Sequence, residues 1–213
     1  MSAASAPSAI ADITTASTLL DRRIHDAPPE AWSLAAALGR FVALEFGPGS
    51  GTAALSLAAG LIREAQAQQG LAAWIAGPGR IFFPPDFAAS GVDLAALPVV
   101  RAPDAARAAR VADTLLRSGS FALVVFDGDA QALPLGVQTR LAGLAVQYHT
   151  ALVTLRSPGE RSSRGSLVSL RCATGKRRAG HDCFSCELRA LKDKRRAPGW
   201  TYEELRHGPD GLC

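Results

Sequence analysis

Short apolar runs alternate along this chain with longer stretches in which apolar positions recur every three or four residues. The runs are Phe41–Phe46 (FVALEF), Leu71–Ala76 (LAAWIA), Leu97–Val100, Phe121–Phe126 (FALVVF) and Ala151–Leu155. Their near-continuous apolar character predicts strands buried on both faces. Between the first two, Ala53–Gln68 sets Leu55, Leu57, Ala58, Leu61, Ile62 and Ala65 on one broad face, and Gly70 ends it. Phe87–Ala89 predicts a short helix stopped by Gly91. A helix opened by Pro103 runs to Arg117, with Val111, Leu115 and Leu116 turned inward and Arg107 and Arg110 outward. Leu133–Tyr148 predicts another, softened at Gly136 or Gly143. Strands alternating with helices predict an α/β fold with a mostly parallel central sheet. After Arg156 the apolar period drops to two. Ser166–Cys172 and Cys183–Leu191 then predict an antiparallel hairpin of C-terminal strands joined by Thr174–Gly180. Trp200 onward predicts a short irregular end.

Composition adds limits. A chain of 213 residues, 48% of them apolar, suits one sizeable core. The expected organisation is a flexible leader with a short helix over residues 1–37, a core domain over 38–198, and a tail over 199–213. The leader has neither a basic start nor an apolar centre, so it does not resemble a secretory signal. No apolar run reaches the roughly 18 residues that cross a bilayer. Four cysteines in a chain of this length do not make a disulfide scaffold, which points to the cytoplasm. The net charge of +4 is uneven: residues 1–155 hold 10 basic and 12 acidic side chains, residues 156–213 hold 13 and 7. A basic C-terminal part suits a polyanion or an acidic protein surface.

The first candidate chemistry lies between the first strand and its helix. Gly47, Pro48, Gly49, Ser50 and Gly51 form a glycine-rich turn, the arrangement in which backbone N–H groups cradle phosphates. A working P-loop has four residues between its glycines and then Lys and Ser/Thr. This turn is one residue short, and Thr52 and Ala53 stand where the lysine and the magnesium-holding hydroxyl belong. The loop therefore reads as a degenerate P-loop with no cofactor. A serine nucleophile at Ser50 is excluded as well, since Pro48 and Thr52 stand where the elbow needs glycines. Asp127 and Asp129 end the most apolar strand, where an ATPase would hold its metal shell; with no lysine opposite, they are residual strand-end acids.

Four stretches together carry a resemblance: GRFVALEFGPGSG with AAL following, ASGVDL, ALVVFDGDAQALP and LKDKRRAP. In this order and spacing they resemble bacterial RecA recombinases over roughly residues 38–198. The chain departs from RecA in four places. Ala76-Gly77-Pro78-Gly79 holds no acid where RecA has its catalytic glutamate after the second strand. Leu133 follows almost directly on Asp129, and only SPGERSSRG joins Leu155 to Leu167, leaving no room for RecA's two DNA-binding loops. RecA's C-terminal domain is also missing. With WIAGPG and FFPPDFAASGVDL, the pattern is similar to the ImuA family, RecA-like proteins without ATPase activity from a bacterial mutagenesis cassette. The resemblance implies a RecA-like P-loop core and a non-catalytic accessory role in SOS-induced translesion synthesis. The partners it implies are an ImuB-like protein, an error-prone C-family DNA polymerase and RecA.

Two rival readings remain: a DNA-binding RecA paralogue, and an atypical P-loop ATPase. The first rests on Lys176, Arg177 and Arg178 at the hairpin and on Lys192, Lys194, Arg195 and Arg196 after it, all candidate partner or DNA contacts. In RecA the lysines matching Lys192 and Lys194 face a neighbouring subunit's ATP. Few aromatics accompany these cations (Phe184, Trp200, Tyr202), so single-stranded DNA is at best a weak partner. Cys183-x-x-Cys186 with His181 and Cys172 has the look of a zinc site. Residues three apart on a strand point to opposite faces, however, so no metal is expected.

Overall fold

The structure is a computed structural model that describes residues 32–46, 53–156, 167–181 and 183–207, all within one compact unit, Trp32–Cys213. In chain order the elements are α1 (Leu34–Ala37), β1 (Phe41–Phe46), α2 (Ala54–Ala67), β2 (Leu71–Ala76), α3 (Pro84–Ala89), β3 (Val99–Arg101), α4 (Ala105–Arg117), β4 (Phe121–Asp127), α5 (Leu135–Gln147), β5 (Ala151–Arg156), β6 (Leu170–Arg178), β7 (Cys183–Asp193) and β8 (Thr201–His207). All eight described strands share one sheet, in the order β3-β2-β4-β5-β1-β6-β7-β8. From β3 through β6 every neighbour is parallel, and β6-β7-β8 run antiparallel. The α/β class with antiparallel C-terminal strands is as the sequence pattern predicts.

The apolar runs become strands because both faces of the sheet are covered. One face holds Val42, Leu44, Trp74, Val125 and Val153 against Leu57, Leu61 and Ile62 of α2, with Phe82 and Phe87 closing around Trp74 at ring distances of 5.6 and 4.9 Å. The other face holds Phe41, Ile75, Phe126 and Leu152 against Ala108, Ala112 and Leu116 of α4 and Leu141 and Ala145 of α5. Arg140 of α5 donates to Asp113 of α4 and joins the two helices. Asp104, rather than the preceding proline, caps α4: its carboxylate accepts from Arg107 N–H at 2.7 Å. Leu55, expected on the buried face of α2, is 41% exposed at the helix start.

The second layer stops at β1. Among the described residues, Val168 is the only buried one beyond β5 to join the α4–α5 cluster, so that face of β6, β7 and β8 is not covered by the described helices. The hairpin is also longer than its period suggested. Thr174–Arg178, read as connecting turn, is strand paired with Leu188–Phe184. Thr201–His207, read as irregular, is a full strand on β7. Its exposed and half-buried residues alternate without any large apolar inward residue except Tyr202, which is why the sequence pattern hides it.

Candidate functional site

Ligands of open parallel sheets gather at the carboxyl ends of the strands. Here β1, β5, β4 and β2 end side by side, and each ends on or near a charge. Glu45 and Arg156 are register neighbours on β1 and β5, and Asp127 closes β4 beside Leu155. The Arg156 side chain is 3% exposed and lies between two acids, with Nη1 2.7 Å from Glu45 Oε1 and Nε 3.2 Å from Asp129 Oδ1. Arg171 of β6 approaches the same Glu45 oxygen at 3.8 Å. Asp129 also accepts from Gln131 N–H at 2.9 Å, which fixes a 3-10 turn over Ala130–Ala132. Thr154 Oγ1 donates to Gly128 O and accepts from Ala130 N–H, stitching that turn to β5.

Asp127 sits deeper. Burial pushes its carboxyl up from 3.8 to about 6, partly offset by the charge of Arg80, 3.7 Å away. Its backbone carbonyl accepts from Gly77 N–H at 2.9 Å, and a Cβ on Gly77 would lie 2.7 Å from that oxygen. The stretch after β2 is therefore a tight backbone contact, with Arg80 reaching in toward Asp127.

These strand ends form a closed set of opposite charges. A divalent cation drawn to Glu45 and Asp129 meets a guanidinium that is already held there and covalently part of the chain. Ala53, at the start of α2, is fully buried and offers no side-chain oxygen. Gly47, Gly49, Gly51 and Thr52 lie outside the described residues.

The basic residues singled out in sequence do not form one patch. Because β6 and β7 are antiparallel, with Arg178 opposite Phe184 and Leu170 opposite Asp193, the two clusters sit at opposite ends of the hairpin. Eight residues of strand put them about 26 Å apart. At one end, Lys176 lies 4.5 Å over the Phe184 ring and Arg178 donates to the Gly180 and His181 carbonyls. Arg177 contacts Glu187 at 2.6 Å and Glu203 at 3.5 Å, linking three strands.

At the other end, Asp193 is the hub. It contacts Arg40 at 2.6 Å and Arg196 at 3.2 Å, and accepts from Trp200 Nε1 and Arg195 N–H. Burial acts to raise the Asp193 carboxyl, but these hydrogen bonds and the Arg40 charge outweigh it and hold the group below its usual value. Arg196 stacks 4.0 Å over Trp200, and Arg195 donates to Leu38 O. Lys192 is lowered by burial, by Lys194 and by Arg171. Much of LKDKRRAP thus fastens β7 to the start of β1.

Among the described residues no group of three or more His, Cys, Asp or Glu is placed to hold a metal. Cys172 and Cys186 are buried and Cys183 is half-buried. No described helix is long and apolar enough to cross a membrane. The residues that motif reading missed are Glu45, Arg80, Arg156 and Arg171. Only Arg156 had a signal in spacing, a charge directly ending an apolar run; Glu45 lies inside FVALEF, Arg80 four residues past LAAWIA and Arg171 within β6. No family model matches this sequence, and a search of the curated proteins finds no match.

Proposed function

We propose that this chain is a non-catalytic, RecA-like accessory protein of the ImuA kind. It serves DNA-damage-induced translesion synthesis by contacting an ImuB-like protein, an error-prone C-family polymerase and RecA. The observation that carries the silent-core part is Arg156, buried between Glu45 and Asp129 where a nucleotide-dependent enzyme needs acids available for metal. The α/β sheet with antiparallel C-terminal strands is compatible with the RecA-like P-loop core that the sequence resemblance implies. The partners rest on that resemblance alone.

Three measurements test it. The purified chain is expected to bind no fluorescent ATP analogue at micromolar concentration and to hydrolyse no ATP; binding that is lost in Asp127→Ala would establish the ATPase reading instead. A pull-down from DNA-damaged cells is expected to recover ImuB-like and RecA-like proteins. Recovery of neither sinks the scaffold role. Salt-sensitive binding of single-stranded DNA, abolished by neutralising Lys176, Arg177 and Arg178, would favour the DNA-binding paralogue.

A further inference from the structure

The sheet has two outer edges, and they differ. β3 is three residues long, too short to template another strand. β8 is seven residues long, carries no proline or lysine, and pairs with β7 without a register shift. Its inward charges do not guard it, because Glu204 and Arg206 bond each other at 2.9 and 3.2 Å. No described strand pairs with its outer side. Leu205 is 65% exposed, on the sheet face that no described helix covers.

Two copies of such an edge, related by a two-fold axis normal to the sheet, pair antiparallel with matching faces up. The axis must then pass through a residue and its own copy. Only axes through Glu203, Glu204 or Leu205 pair five or more residues of β8. The first two set like carboxylates against each other on the axis. The third sets Leu205 against Leu205 and, twice over, Glu204 against Arg206, with Glu203 opposite the His207 ring. Opposite charges directly across a strand pair are favourable and like charges are not. We propose that β8 is an isologous dimer interface, joining two copies of this chain edge to edge in the register centred on Leu205. The blunt β3 edge leaves no second site for the same pairing, so assembly closes at two.

Sedimentation equilibrium of the full chain, from low to high micromolar concentration, is expected to show a reversible monomer–dimer equilibrium. Leu205→Lys places two ammonium groups on the axis and is expected to weaken association by roughly tenfold or more. Its circular dichroism and its melting temperature, taken at a concentration where the parent is monomeric, are expected to be unchanged, since the side chain is at the surface. Leu205→Cys in a Cys213→Ser background is expected to give a disulfide-linked dimer on mild oxidation, whereas Thr201→Cys in the same background does not. A parent chain that stays monomeric, a Leu205→Lys variant that associates like the parent, or equal crosslinking at 201 and 205 overturns the proposal.

Discussion

Asp127 is the residue whose environment and charge are most at odds. It is nearly inaccessible, its only described cation is Arg80, and burial lifts its carboxyl to about 6 from 3.8. Between pH ~4 and ~6 the folded state therefore binds a proton that the unfolded chain has released. The associated stability is fully present below that window and is lost as pH rises through it. At just over two pH units the effect is at most about 3 kcal/mol. Asp127→Asn is expected to raise the melting temperature at pH 7 and to flatten the pH dependence between 4 and 6, as followed by thermal melts across that range. Asp193 is its opposite, since a lowered carboxyl contributes stability above its unfolded value that is lost on acidification. That contrast separates an acid whose burial works against the fold from an acid that holds it.

At the scale of elements, contacts between strands decide more than the strands themselves. Gly77→Ala is expected to cost about 1–3 kcal/mol in chemical denaturation, because the new Cβ meets the Asp127 carbonyl, which is backbone and cannot swing away. Arg177 has another role: it lies against Glu187 and Glu203, which the β7–β8 register puts directly opposite each other. Arg177→Ala leaves those carboxylates facing one another, and is expected to speed amide hydrogen exchange in β8 while the rest of the sheet is unaffected.

The same scale shows what the sequence could reveal. Strands such as FALVVF were legible because burial on both faces leaves an uninterrupted apolar run, and α2 because its apolar residues recur at helical spacing. Thr201–His207 was not, because an edge strand with one half-covered face has little apolar pattern to show. The strand-end cluster was half legible. Asp127 and Asp129 stand out after an apolar run, but that Arg156 lies between Glu45 and Asp129 depends on β1 and β5 being neighbours. Adjacency across 111 residues is a property of sheet order, not of spacing.

For the whole molecule, that order makes β1 the middle of a sheet built from both ends of the described chain. Its neighbours are β5 and β6. A chain cut after Arg156 would leave FVALEF, four of its six residues fully buried in the intact protein, as an open edge. Such an edge invites pairing with other molecules, so this truncation is expected to be insoluble. A cut after Asp193, which keeps β6 and β7, is expected to stay largely soluble; yields in the soluble fraction compare the two.

The position of β1 also sets a timetable. A ribosome finishes this strand at Phe46, yet the neighbour on one side is complete only at Arg156 and the one on the other only at Arg178. At roughly 5–20 residues per second, an apolar hexamer waits on the order of 5–25 s in a nascent chain before either partner exists. During that interval its protection has to come from outside the sheet, from a chaperone or from the ribosome surface.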